Sequence, residues 1–263
     1  MKPFFTSRRD WLGSTSLNVG GFWLTGPSRM TGAALGLAIL AAAQGTSAQV
    51  QSPLPTGGQF VAGQGGISQP SDTTLAIRQT SNRGVIDWRA FSIAADHQVS
   101  IDNGAGATLN RVLGGQISQI DGQLSATGSV YLMNPHGVII GDGGRVIAGG
   151  DFVASTRQMD MDAFLSGGPL PVTGSSSGGI VNRGRIVSSP GCVVMIARSV
   201  ENHGVIEAAN GRATLATADE VLLASTNGKD GGLYVSAGAG GGDITQDGRI
   251  RAAAVSLQAA GGN

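Results

Sequence analysis

Cysteine is almost missing from this chain: among 263 residues there is one, Cys192. A lone cysteine closes no internal disulfide and builds no cysteine-rich metal site, so Cys192 is expected to pack as a small buried hydrophobe. Charge is scarce as well, at 13% of residues, and aromatic residues make up 5%. The formal net charge is zero. Lys2, Arg8, Arg9, Asp10 and Arg29 precede residue 49 and leave the remainder with 13 basic and 16 acidic residues, a net of −3. Such a body has no basic footprint for nucleic acid. Long helical periodicity is absent beyond residue 50, where the best helical candidate is the short stretch Gln158 to Leu165. No apolar run is long enough for a membrane-spanning helix of about 20 residues.

Glycine, by contrast, is abundant, with 44 residues. That is about twice the usual frequency and argues for many turns. The hydrophobic share of 41% is that of a folded protein.

The amino end reads as an export signal. A basic, mixed leader precedes Met30 to Ala43, a short apolar core, and small residues Ser47 and Ala48 precede a cut expected near Ala48. Ser7 to Leu12 resembles a twin-arginine signal. The arginine pair lies far from the apolar core, which favours the general secretory route. Residues 1–48 are therefore assigned as an extended signal peptide.

The body is a repeat. A polar residue, then glycine, one more residue and an aliphatic recur at Asn182-Arg183-Gly184-Arg185-Ile186, Asn202-His203-Gly204-Val205-Ile206 and Asp247-Gly248-Arg249-Ile250. Gly184 to Gly204 is twenty residues, and Gly228 to Gly248 is the same. A period near twenty predicts a solenoid whose coils hold two or three short strands. Asn182, Gly184, Asn202, Gly204, Asp247 and Gly248 would form the repeat turns, because Asn and Gly tolerate positive φ. Ile186, Ile206 and Ile250 would stack as an inner ladder, with Val193, Met195, Leu215, Val221 and Leu223 in neighbouring inner positions. At about twenty residues per coil the body would hold roughly ten coils. Gln51 to Arg78 is placed to cap the stack. Gly167 to Gly179 and the glycine run Gly238 to Gly242 read as excursions. The chain stops in mid-pattern at Asn263, as a fragment or short version of a longer repeat protein would.

The most specific string is Ser118 to Arg157, SQIDGQLSATGSVYLMNPHGVIIGDGGRVIAGGDFVASTR. Before it stand Thr108-Leu109-Asn110-Arg111-Val112, Gly114-Gly115 and the strand Asp87-Trp88-Arg89-Ala90-Phe91-Ser92-Ile93. In this order the residues resemble the amino-terminal secretion (TPS) domain of the filamentous haemagglutinin family, the exported partner of two-partner secretion. The resemblance is close over residues 55 to 165 and generic beyond. It implies an all-β fold, a right-handed parallel β-helix (a single-stranded solenoid) with an amino-terminal cap. The secretion domain would occupy residues 49–165, and continuing β-helix repeats, incomplete at the carboxy end, residues 166–263. The resemblance also implies a partner, an outer-membrane β-barrel transporter carrying POTRA domains. It implies a product secreted or held at the surface of a Gram-negative bacterium via the periplasm. A host-cell or surface receptor would fit an adhesin or haemagglutinin of this kind, and the chain itself is expected to be a monomer.

The family's Asn-Pro-Asn-Gly motif is Asn134-Pro135-His136-Gly137 here, with the third residue changed. Asn, Pro and Gly suit a tight turn, and His tolerates positive φ. The motif has two readings: a corner of one coil, or a contact with the transporter.

Catalytic patterns are missing. His97, His136 and His203 lack metal-ligand spacing, and neither a G-x-S-x-G elbow nor a phosphate-binding loop is present. Asp160 with Asp162, and Asp219 with Glu220, are the acid pairs that would serve a polysaccharide-cleaving β-helix. Solvated loop charge is the plainer account of both. The sequence therefore predicts no enzyme, no cofactor and no metal. A polysaccharide-acting enzyme and a free-standing surface-binding repeat protein are the alternatives.

Overall fold

The computed structural model describes residues 52–225, 233–238 and 240–259. The leader 1–48, Gly228 and the last residues 260–263 lie outside the described residues. So does part of the glycine run from Gly238 to Gly242.

Short β-rich runs separated by glycine cannot bury an apolar face alone, so they stack. Seven rungs of a parallel β-helix are present among the described residues. The first two carry two strands each, Thr74–Gln79 with Arg83–Trp88, then Gln98–Asp102 with Ala107–Val112. The next three carry three strands each. They are Ser118–Ile120, Gln123–Ala126 and Ser129–Met133; Val138–Ile140, Arg145–Ala148 and Phe152–Ser155; and Gly179–Asn182, Arg185–Ser188 and Val193–Ile196. In the sixth and seventh rungs, Ser199–Asn202 leads into the long strand Val205–Thr217, and Asp243–Gln246 into Arg249–Ala259. Each long strand crosses the corner between the second and third faces of the stack, with a register shift between Ala208 and Arg212.

The register gives steps of 24, 25 and 22 residues along the early rungs and 20 between Arg185 and Val205. Two steps are far longer, 40 residues from Arg145 to Arg185 and 44 from Val205 to Arg249. Chain leaves the stack there. This is why seven rungs replace the ten expected from a uniform period. It also changes the repeat: the rung beneath Gly248 is that of Gly204, so Gly248 does not follow a coil headed by Gly228. Six steps of about 4.8 Å make the stack about 29 Å long.

The inner ladder is longer than the three isoleucines expected. Leu75, Val99, Leu124, Val146, Ile186, Ile206 and Ile250 stand on one another through all seven rungs. Each fully buried aliphatic of this kind contributes about 1.5–3 kcal/mol. At the amino end, Gln59–Ala62 pairs antiparallel with Arg83–Trp88, and Gly65–Ser71 with Thr74–Gln79. The cap is thus two antiparallel strands, and Thr74 to Arg78 belongs to the first rung. Trp88 lies beneath the cap, edge to face with Phe91 at 5.3 Å. Gly58 is fixed by this packing, since a Cβ there would lie 2.3 Å from the Trp88 ring.

The two excursions meet. Gln158–Met159, Leu170–Thr173, Glu220–Ser225 and Leu233–Ala237 form a small antiparallel sheet. Between its first two strands runs the helix Met161–Ser166, capped by Asp160, whose carboxylate accepts from the Ala163 N–H at 2.7 Å. The third face of the solenoid is apolar on both sides, as strands covered on both faces are. Its outward residues Val85, Leu109, Val153 and Val194 form a second core with Met159, Phe164, Leu170 and Val172. Val221 and Leu223 belong to this second core and not to an inner rung. Cys192 is buried in it, its Sγ accepting from the N–H groups of Arg212 and Leu233, each at 3.3 Å.

Candidate functional site: two stacked corners

The residues singled out by sequence sit at two different corners. Asn182, Gly184, Asn202, Gly204, Asp247 and Gly248 turn the chain from the first face to the second. Asn134 to Gly137 turn it from the third face to the first, between Ser129–Met133 and Val138–Ile140. The fold does not bring the two groups together.

At the first-to-second corner the Asn182 side chain donates to Asn202 Oδ1 at 2.7 Å, and Asn202 Nδ2 donates to Gln246 Oε1 at 2.9 Å. Gln246 therefore holds the third place in the amide ladder. Asp247 stands one position on, level with His203 and Arg183. His203 lies between Glu201 at 3.1 Å and Asp247 at 3.3 Å, an exposed cluster along this edge. The glycines have no alternative. A Cβ on Gly204 would meet the Gly184 carbonyl oxygen at 2.2 Å, and one on Gly248 would meet that of Gly204 at the same distance.

At the third-to-first corner Asn134 is fully buried. Its Nδ2 donates to the Gln116 carbonyl and to Ser118 Oγ, both at 2.9 Å, while its Oδ1 accepts the His136 N–H at 2.9 Å. The Gly137 N–H returns to the Asn134 carbonyl at 3.1 Å. One side chain thus shapes its own turn and ties it to the loop of the preceding rung. Gly137 has φ +122°, and a Cβ there would approach the Gly179 carbonyl to 3.0 Å. Ser176, from the first excursion, donates its hydroxyl to the Pro135 carbonyl and closes the corner from the other side. Pro135 is half-buried and His136 exposed.

Several polar residues of the specific string and of the stretch before it were not singled out as site residues by sequence. Asn110 accepts from Trp88 Nε1 at 3.0 Å and donates to the Tyr131 carbonyl. Arg111 and Asp87 form a two-pronged ion pair at 2.7 and 2.9 Å. Asn103 accepts the Gly128 N–H at 2.7 Å and donates to Thr108 Oγ1 and the Ser129 carbonyl. Arg157, fully buried, donates to the carbonyls of Ala218 and Ser176 and to Asp219 Oδ1 at 2.8 Å. Burial pulls its guanidinium below the ordinary value, and Asp219 opposes that shift. The available signal was polar residues inside apolar runs, which mark buried hydrogen-bond networks.

In each acid pair considered for catalysis one carboxylate has a structural role: Asp160 caps the helix and Asp219 balances Arg157. A polar cavity of about 160 Å³ lies where the small sheet meets the solenoid, lined by Arg83, Ser129, Tyr131 and Asp151 among others. Burial raises the Asp151 carboxyl above its usual range, with the Cys192 N–H pulling it back. Burial, and then Asp151, push the Tyr131 phenol well above its ordinary value.

Comparison with known proteins places this geometry. The model of the TPS secretion domain matches residues 51–263. A heme/hemopexin-binding protein of Haemophilus influenzae is 34% identical over 128 residues, covering 48% of this chain and 14% of that protein. Its counterpart in strain Rd is 30% identical over 185 residues, covering 67% of this chain and 20% of that protein. This chain therefore spans at most a fifth of the length of the curated relatives it matches. The crystal structure of the HMW1 secretion domain from Haemophilus influenzae superposes with a TM-score of 0.63 at 26% identity, over 78% of this chain and 57% of that one.

Proposed function

The chain belongs to the TPS secretion domain family, and from that premise we propose that it is the segment by which a longer adhesin- or haemagglutinin-like protein is taken up by an outer-membrane β-barrel transporter with POTRA domains. The observation that carries this reading is the family match along residues 51–263. Residues 1–48 serve as the signal for the inner membrane. The body then crosses the outer membrane through the transporter and folds outside, each finished rung offering its edge to the next. The product is secreted or held at the surface of a Gram-negative cell, where a host-cell or surface receptor meets the distal parts of the full protein. The heme and hemopexin binding named for the relatives stays with those proteins here. What is shared is 14% and 20% of their length, which fits a common secretion segment. A polysaccharide-cleaving reading has little to use, since Asp160 and Asp219 are held in a helix cap and an ion pair.

The test is secretion from cells that make the chain with the transporter from its own locus. Wild-type chain should reach the medium only when the transporter is present. Asn134→Ala and Gly137→Ala should reduce the secreted fraction without lowering synthesis. Release that is independent of the transporter would overturn the proposal.

A further inference from the structure

Like charges directly opposite each other on adjacent strands are unfavourable, so a sheet built for stability alone sets opposite charges there. The second face of the stack does this at its start, where Arg78 stands opposite Asp102. Further along it does not. Arg145 stands directly opposite Arg185, both exposed, on strands whose Val146 and Ile186 point inward. Arg249 continues the same column in the last described rung, with Val205 between it and Arg185. From the fourth rung to the seventh the charged residues of this face are Arg145, Arg185, Arg249, Arg251 and Glu207, four cations against one carboxylate. Glu207 is held by Arg185 at 2.7 Å and lies opposite Arg251. Among the described residues Arg145 and Arg249 form no ion pair.

A groove of about 530 Å³ borders this face along the first-to-second corner. It is lined by the exposed Arg145, Arg183, Arg185 and Arg249, with His203 and with Asp142 as its carboxylate. Asp247 stands beside it, 3.3 Å from His203. The three rung steps from Arg145 to Arg249 make the column about 14 Å long. The body from residue 49 onward carries a net of −3, so this excess of cations is local. A planar guanidinium gives two parallel hydrogen bonds to one phosphate group, which makes arginine a phosphate-holding side chain. A row of anions would also remove the repulsion that the column bears when bare. Bases have nothing to stack on, because the strands of this face from Arg145 onward carry no aromatic residue.

We propose that this face and its groove hold the exported, folded protein against the phosphate groups of the glycolipid in the outer leaflet of the cell that exports it. The arginines come from positions 145 to 249 and reach one column only when the rungs have stacked, so the contact belongs to the outside of the cell. The choice of that leaflet rests on the secretion reading above: a chain that folds as it leaves an outer-membrane barrel meets the outer leaflet first.

The experiment is co-sedimentation of the secreted, folded chain with phosphatidylcholine vesicles that do or do not carry lipopolysaccharide. Wild type should bind the lipopolysaccharide vesicles, leave the plain ones, and come off as salt is raised, because the attraction is screened. Arg145→Gln with Arg249→Gln should weaken binding about thirtyfold. That variant should keep or exceed the wild-type thermal midpoint, since it relieves the repulsion between Arg145 and Arg185, and this separates lost binding from lost folding. Arg78→Gln with Arg89→Gln makes the same change in net charge at exposed positions off the groove and should bind as wild type. Absence of binding to the lipopolysaccharide vesicles at low salt overturns the proposal, and so does equal loss from the two double variants. Heparin or duplex DNA bound in place of the vesicles, with the same dependence on Arg145 and Arg249, gives the face to another polyanion and overturns it as well. Failure of vesicle binding leaves transporter-dependent release untouched, and release that ignores the transporter overturns the secretion reading and with it the choice of leaflet.

Discussion

Asn134 and His136 are two residues apart and do opposite things. Asn134 makes three hydrogen bonds from a fully buried position, so Asn134→Ala leaves two acceptors and one N–H without their partner. Loss of such bonds costs about 1–3 kcal/mol. Urea unfolding should register that loss for Asn134→Ala, while His136→Ala stays within about 0.5 kcal/mol of wild type, as exposed substitutions do. Equal destabilisation by both would mean that the turn, and not the side chain, carries the stability. Asp151 makes a second residue-scale prediction. Burial raises its carboxyl pKa in the folded protein, so its ionised form is disfavoured there. The resulting stability is present in full below the unfolded carboxyl value near 3.9 and is lost as pH rises through the raised folded value. Asp151→Asn keeps an oxygen for the Cys192 N–H, which Asp151 now accepts at 2.8 Å. It should therefore melt higher than wild type at neutral pH and show a flatter dependence of melting temperature on pH above 4. A variant with the wild-type pH slope would count against this assignment.

The helix Met161–Ser166 is too short to be stable through its own hydrogen bonds and is held by packing. Its anchor is Phe164, fully buried, edge to face with Tyr131 at 5.3 Å and under the Arg83 guanidinium at 5.0 Å. Phe164→Ala should cost about 3–5 kcal/mol, the range for truncating a buried aromatic. The loss should be local. Hydrogen exchange should quicken across residues 158–173 and leave the inner ladder protected. Uniform quickening would show that the small sheet and the solenoid unfold as one. This element also marks where sequence reading stopped. The turn phrases and the aliphatic after glycine were legible because both are local, so the ladder through Ile186, Ile206 and Ile250 could be read from the recurring phrase, although the step from Ile206 to Ile250 is 44 residues and not twenty. The helix near Gln158 to Leu165 and the excursion after Gly167 were legible for the same reason. The small antiparallel sheet was not, because Leu170–Thr173 pairs with Glu220–Ser225 about fifty residues away, and no local pattern carries that pairing. Val221 and Leu223 alternate as rung residues would, yet they serve the second core. The turn at Asn134 was legible as a turn. That its asparagine is buried depends on the preceding rung lying beneath it.

A stack of rungs is stabilised by nearest neighbours, so the same substitution has a different cost in the middle and at an edge. Val146 lies in the fourth rung between Leu124 and Ile186 and is 1% exposed. Leu257 stands in the last described rung on Leu215, with no described strand beyond it, and is 50% exposed although it faces the inner side. A carboxylate at Val146 would be buried without a partner, a penalty of several kcal/mol per ion that exceeds the contribution of the side chain it replaces. At Leu257 the charge keeps much of its water. Val146→Asp is therefore expected to remove much of the β-sheet circular dichroism of the purified chain. Leu257→Asp should keep that signal and lower the thermal midpoint by only a few degrees. The comparison also bears on export. If the stack grows rung by rung from the cap, Val146→Asp halts it after the third rung and Leu257→Asp lets six rungs form. Limited proteolysis of the secreted material should then leave a protected core that extends past residue 217 for Leu257→Asp and ends near residue 133 for Val146→Asp. Protected fragments of the same length from both variants would show that the rungs form together and that the edge passes no order from one to the next.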